Sequence, residues 1–175
     1  MKKFLPILLL AFVSLFIFSC DDDDNNNNFV DHDTYSQMRD ATGTFSSSNS
    51  YTLSMDINIL NTDVVLVYRK VGGYWESIPK TYYLDNVTVP ATGRELDYSF
   101  DFNTQEVNIR TSANFNQSTM SSAEANQYLN NQTFRVVLVP ASAAKNTASV
   151  DTSDYNAVVK YYNLDESKIK TIKIN

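Results

Sequence analysis

The first clear period in this chain runs from Tyr51 to Ile59. Tyr51, Leu53, Met55, Ile57 and Ile59 alternate with Thr52, Ser54, Asp56 and Asn58, and a period of two predicts a half-buried strand. After a turn at Asn61-Thr62, residues Asp63 to Lys70 place Val64, Leu66 and Tyr68 on one face and Val65 and Val67 on the other. Two apolar faces predict a central strand. Gly72-Gly73 is a hairpin signal, and Tyr74 to Ile78 runs back. Thr81 to Leu84 and Val87 to Val89 are shorter β-rich pieces near Pro79 and Pro90.

The next pair fixes its own register. Leu96, Tyr98, Phe100 and Phe102 oppose Glu95, Asp97, Ser99 and Asp101, and Val107, Ile109, Thr111 and Ala113 oppose Glu106, Asn108, Arg110 and Ser112. Apolar-to-apolar matching admits a loop of two or of four residues. The two-residue loop would set Asp101 against Glu106, a like-charge pair, so the loop Asn103 to Glu106 is expected, pairing Phe102 with Val107 and Phe100 with Ile109. Ser121 and Glu124 have capping-box spacing and predict a short helix towards Leu129. Thr133 to Val139 is a second strand with two apolar faces. Ser153 or Asp154 caps a second helix, whose Tyr155, Val158, Val159 and Tyr162 fall on one side, and Lys168 to Ile174 suits an edge strand. Short strands at regular spacing with two short helices predict an all-β chain, an antiparallel β-sandwich of immunoglobulin-like or similar type, over residues 35–175.

The N-terminal 34 residues follow another logic. Lys2 and Lys3 precede an apolar run from Phe4 to Phe18 that ends at Ser19-Cys20. A basic start, a run too short to span a bilayer comfortably and a small residue at the break mark a secretory leader over 1–19. Behind the only cysteine comes DDDDNNNN, Asp21 to Asn28, a solvated tether that continues to residue 34.

Ile17-Phe18-Ser19-Cys20 resembles the lipobox of bacterial lipoproteins, with Phe18 where that pattern has a small residue. The resemblance implies a Cys20 that carries acyl chains and begins the mature chain. Cleavage there removes two lysines and no acid, taking the net charge from −6 to −8. An acidic run directly behind the cysteine is similar to the export signal of Bacteroidetes surface lipoproteins, particularly the flavobacterial type. It implies an outer-membrane protein facing the cell exterior, with a periplasm-facing anchor as the alternative. The folded part, from Asp63–Lys70 through Phe134–Pro140 to the helix near Tyr155, resembles small flavobacterial lipoproteins to which no activity attaches.

Composition narrows the chemistry. One His and one Cys in 175 residues leave little for zinc or thiol work, and the pI near 4.6 argues against nucleic acid as a partner. His32 lies in the tether between Asp31 and Asp33, where no substrate could be held against it. No catalytic residue, metal or cofactor is assigned. The stripe Glu95, Asp97, Asp101 could serve a carboxylate hydrolase or a calcium ion, since carboxylates two apart on a strand lie about 7 Å apart. A wet sheet face crossed by Arg110 explains it without a ligand. Asp151 to Asp154 reads as helix capping. The candidate ligand-binding residues are Tyr74, Trp75, Tyr82 and Tyr83, which offer apolar faces with polar handles suited to sugar rings. Strand neighbours point to opposite faces, so only one of each pair can join a platform, and Trp75 reads first as a core anchor near the centre of a sheet. The expected function is a non-catalytic, lipid-anchored domain for binding, adhesion or envelope organisation; the alternative is a small glycan-binding module.

Overall fold

The computed structural model describes residues 36–85, 93–141 and 149–174. The leader at 1–19, the lipid attachment at Cys20, the tether at 20–34, His32 and the piece Val87 to Val89 lie outside the described residues. Nine strands are described: β1 (Gln37–Gly43), β2 (Thr52–Asp56), β3 (Val64–Val71), β4 (Tyr74–Ser77), β5 (Lys80–Tyr83), β6 (Glu95–Phe102), β7 (Glu106–Ala113), β8 (Gln132–Val139) and β9 (Lys170–Lys173). Helices α1 (Ser122–Tyr128) and α2 (Tyr155–Tyr161) join them. One sheet has the order β4-β3-β8-β1-β9, and the other β2-β7-β6-β5. The fold is an all-β sandwich with short helices.

The inner faces form the main core. Leu53, Met55, Ile57 and Ile59 all face it, as do Leu96, Tyr98, Val107 and Ile109 from the same sheet. Val65, Val67, Phe134, Val136 and Leu138 close it from the other side. Burying each such side chain contributes about 1.5–3 kcal/mol, and these rows hold the two sheets together. Phe102 pairs with Val107 and Phe100 with Ile109, the register that avoids opposing Asp101 and Glu106.

β3 and β8 are apolar on both faces because the sheet they centre is covered twice. On its outer face, Tyr68, Val137 and Val139 pack under Tyr155 and Val158 of α2, with Trp75, Val159 and Tyr162 at the margin. Asp154 caps that helix, accepting bonds from the amides of Asn156 and Ala157. Ser121 and Glu124 form the expected reciprocal box on α1.

Three features depart from expectation. β1 has no signature in the sequence, because Gln37-Met-Arg-Asp-Ala-Thr-Gly43 mixes charge and small residues without a period. It is paired on both sides all the same, with β8 and with β9. β9 runs parallel to β1, the exception among otherwise antiparallel pairings of the described strands. Trp75 lies on an edge strand and not near a sheet centre: β4 pairs with β3 alone in its sheet, and the chain then crosses at Ile78-Pro79 to the other sheet.

The β3–β4 hairpin turns on Gly72, whose φ of +58° is left-handed space that glycine enters without strain. Gly43 is required for a different reason. A Cβ there would sit 2.6 Å from the Ile174 carbonyl oxygen and 2.7 Å from Leu53 Cδ2. Gly43→Ala is therefore expected to cost about 1–3 kcal/mol as overpacking at the end of β1, read as a lower urea midpoint. A midpoint equal to that of the parent chain would mean that residue 174 does not seat against β1.

Candidate functional site

The row Val65, Val67 on β3 points into the core, and two residues further along the same face comes Arg69. Alternation therefore drives a guanidinium into the open end of the sandwich, where its residue is only 3% exposed. The same logic on β8 carries Gln132 inward beside Phe134. Arg69 Nε and Nη2 donate to Gln132 Oε1 at 3.1 and 2.7 Å, and Nη2 donates to the Gln127 carbonyl at 2.6 Å. The cation faces three rings, with Tyr98 at 4.6 Å, Tyr82 at 5.0 Å and Tyr128 at 5.7 Å from guanidinium carbon to centroid. Desolvated cation–π contacts are worth about 2 kcal/mol or more each, so the cage offsets much of the burial cost.

Each wall of the cage comes from a different element. Tyr98 on β6 donates its hydroxyl to the Tyr128 carbonyl, tying β6 to the end of α1. Tyr82 on β5 packs edge-on against Tyr98, with centroids 5.6 Å apart, and donates its hydroxyl to Glu76 Oε2 at 2.5 Å. Lys80 Nζ pairs with the same carboxylate oxygen at 3.0 Å. Burial pushes the Tyr82 phenol up to about 12, and the Glu76 bond adds to the shift. Burial also pushes the Glu76 carboxyl up, but the bonds from Tyr82 and Lys80 outweigh it and leave it below the usual value.

Over this cage lies a groove of about 700 Å³. Arg69, Tyr82 and Tyr128 line it with five side-chain amides, those of Asn126, Gln127, Asn130, Asn131 and Gln132. The amides cluster because α1 ends here. Asn131 takes a left-handed φ of +50°, which asparagine tolerates, and turns the chain from the helix into β8. Lys70 also borders the groove, but its ammonium lies 5.7 Å from the Trp75 ring on the other face of the sheet; none of the lining residues is a carboxylate. The volume is of the size that small ligands occupy, and convergent amides with aromatic faces suit a hydroxyl-rich molecule.

The four aromatic residues singled out from the sequence are divided by the structure. Tyr74 is 81% exposed at the hairpin edge, and Tyr83 is 52% exposed on β5. Trp75 lies on the α2 side of its sheet, 5.8 Å from the Tyr155 ring and 4.2 Å from the Arg135 guanidinium carbon. Tyr82 alone enters the groove, and its partner there is Tyr128, 5.6 Å away. Trp75 and Tyr82 belong to different packed clusters, on opposite faces of the larger sheet. No common platform forms, because β4 and β5 belong to different sheets. Arg69 and the amides were absent from the sequence-based assignment, although continuing the Val65, Val67 alternation by one step finds Arg69.

Two of the three carboxylates of the acidic stripe, Asp97 and Asp101, are engaged by protein groups. Arg110 pairs with Asp101, and Thr81 donates to Asp97 at 2.5 Å. Among the described residues, no group of three or more His, Cys, Asp or Glu is placed to hold a metal ion. Asp151 accepts from the Ser153 amide and hydroxyl in the turn before α2.

The α1 wall of the groove is pinned by Glu124. It caps the helix and pairs with Arg94 at 2.6 Å, and Arg94 also binds Asp85 at 2.7 Å. The Arg94 bond and two bonds from Ser121 hold the Glu124 carboxyl at about 2, against an ordinary 4.5. Asp85 is lowered by the same arginine. Depressed carboxyls contribute stability that is complete above the unfolded value and is lost as pH falls through the folded one. The urea midpoint is expected to stay level from pH 7 to about 5 and to decline from there towards 2. A decline already complete above pH 5 would exclude these carboxylates as its source.

The chain matches no protein-family model, no curated protein and no solved structure.

Proposed function

We propose that this protein is a lipid-anchored lipoprotein of the outer membrane, exposed at the cell surface, whose sandwich domain is a glycan-binding module. The anchor and the address rest on the N-terminal sequence: a leader that stops at the only cysteine, and four aspartates directly behind it. Acyl chains on Cys20 would hold the protein to the membrane, and among the described residues no helix is long and apolar enough to cross one.

The observation that carries the binding role is the groove beside Arg69. The Gln132 amide is taken up by Arg69 and by the Asn126 and Asn130 carbonyls, which leaves Asn126, Gln127, Asn130 and Asn131 to present amide groups, and Tyr82 and Tyr128 offer aromatic faces. Tyr82 stands on an edge strand, Asn126, Gln127 and Tyr128 on the capped helix, and Asn130 and Asn131 on the turn that follows it. The sequence favours binding over catalysis, since its one His lies in the tether and its one Cys is the proposed acyl acceptor.

The test is retention of the full chain, in detergent micelles, on a panel of immobilised polysaccharides. At least one polymer is expected to retain it, and the double variant Asn126→Ala, Asn130→Ala is expected to weaken that retention at least tenfold with an unchanged melting temperature. Failure of every polymer, or equal retention of the variant, would overturn the assignment.

A further inference from the structure

We infer that the ligand of this groove is an uncharged glycan, read through its hydroxyl groups. The inference rests on the glycan-binding role proposed above and adds the charge class of the sugar.

The charges around the groove are answered within the protein. Arg69 is 3% exposed and gives its Nε and Nη2 donors to Gln132 and to the Gln127 carbonyl. Its charge is spread over the faces of Tyr82, Tyr98 and Tyr128. Its cross-strand neighbour is Glu76, which accepts from the Tyr82 hydroxyl and pairs with Lys80 at 3.0 Å. One carboxylate therefore serves both cations. Lys70 turns its ammonium to the other face of the sheet, 5.7 Å from the Trp75 ring. None of the residues lining the groove is a carboxylate.

The groups left to meet a ligand are amides, and their existing bonds decide what they offer. Asn126 and Gln127 are exposed on α1, and Asn130 is half-buried in the turn behind it. Asn130 Nδ2 donates to Asn126 Oδ1 at 2.8 Å. That bond leaves Asn126 with both Nδ2 protons and Asn130 with its Oδ1 as an acceptor. Gln127 Nε2 donates to the Tyr128 hydroxyl at 3.0 Å, which leaves Gln127 Oε1 as a second acceptor. Among the described residues no other side-chain bond engages these three atoms.

Donors and acceptors are thus mixed within one short stretch of wall. A hydroxyl donates and accepts, so a sugar carrying several of them can satisfy both kinds. Carboxylate and sulfate oxygens only accept. Against Asn130 Oδ1 or Gln127 Oε1 they would set oxygen on oxygen with no proton between, and each acceptor would be desolvated without a partner. An ammonium only donates and fails at the Asn126 donors in the same way. The long-range field agrees, because a chain of net charge −6 repels an anion before contact. Tyr82 and Tyr128 supply apolar ring faces, which meet the C–H face of a pyranose without any charge.

The experiment uses the full chain in detergent micelles. Each immobilised polymer that retains it is set beside derivatives of equal substitution. A neutral polymer is compared with its carboxymethyl and hydroxyethyl ethers, which add similar bulk with and without charge. An acidic polymer is compared with its methyl ester or its desulfated form. The neutral member is expected to bind at least about tenfold more tightly than the charged one, and the hydroxyethyl ether to bind like its parent. Raising salt from about 50 to about 300 mM is expected to change binding of the neutral member less than about twofold, since no ion pair is made that salt could screen. Asn126→Asp keeps the oxygen that accepts from Asn130 and replaces only the free donor. At this exposed position it is expected to weaken binding at least about tenfold with an unchanged melting temperature. Equal or tighter binding of the charged member, equal losses for the two ethers, or an Asn126→Asp variant that binds like the parent would overturn the inference and leave the glycan-binding role standing. Retention by no polymer would overturn both.

Discussion

Asp40→Ala is expected to destabilise the domain by about 3–5 kcal/mol, a large part of the roughly 5–15 kcal/mol that holds a domain of this size. Asp40 on β1 lies opposite Arg135 on β8, the middle strand of its sheet. The pair is bidentate, with Arg135 Nε donating to Oδ1 at 2.7 Å and Nη2 to Oδ2 at 2.9 Å. Arg135 is 7% exposed, lies under α2 and stacks on Trp75. Its Nη1 reaches Glu166 at 2.7 Å and the Tyr155 hydroxyl, which itself donates to Glu166 at 2.6 Å. Removing Asp40 leaves the cation buried with a single carboxylate at the solvent margin, and the cost is mostly that of the unmatched charge. Two controls separate this from simple loss of packing. Glu166→Ala should cost under about 1 kcal/mol, since that carboxylate is half exposed and screened by water. The double variant Asp40→Leu, Arg135→Met should recover much of the loss by removing the charge as well. Urea denaturation of the three variants decides it. An Asp40→Ala midpoint equal to that of the parent chain would show that Arg135 does not depend on this pair.

Arg135 and Arg69 also explain what could be read from the sequence. Local patterns were sufficient wherever neighbours in the chain are neighbours in space. The β6–β7 register followed from one forbidden charge pair, the α1 box from a four-residue motif, and the centrality of β3 and β8 from their double-faced runs. What was not legible depends on distant pairing. β1 is held in its sheet by β8, about 95 residues away along the chain, and it carries Asp40 and Arg39 within the strand, so no period announces it. β4 resembles a central strand by composition. Its position at an edge is decided by the crossing at Ile78-Pro79, which sends β5 to the other sheet.

The candidate site shows the same division. Alternation along each strand was enough to say that Tyr74 and Trp75, or Tyr82 and Tyr83, could not face one way. It could not say that the two strands belong to different sheets, and that separates Trp75 from Tyr82. The groove residues lie at 69–72, 82 and 126–133, three segments that only the sandwich brings together. Arg69 had a local signal, being two residues beyond Val67 on the inward face. At the end of a strand that signal competes with the usual expectation that an arginine reaches solvent. What keeps it inside is the ring cage, built from Tyr82, Tyr98 and Tyr128 on three other elements.

Cys20→Ser is expected to have the largest effect on the protein in the cell, moving it from the membrane fraction to the soluble one. Two or more acyl chains give stable anchoring, whereas one alone is marginal, and the sequence contains no second apolar run comparable to Phe4–Phe18. Serine keeps the size of the side chain and removes the thiol proposed to accept the lipid. The leader then has two fates, and they read differently. Cleavage by another route gives a soluble protein of mature size; retention of the leader gives a membrane-bound protein of precursor size. Mature-sized protein that stays with the membrane would refute the lipid anchor. Replacing Asp21 to Asp24 with alanine tests the address separately from the anchor. That variant should keep its acyl chains and remain in the membrane fraction, yet resist protease added to intact cells. Equal digestion of variant and parent would reduce the aspartates to a solvated spacer and favour neither face. The two experiments are independent, because on the proposed reading the thiol determines attachment and the carboxylates behind it determine only where the attached protein is delivered.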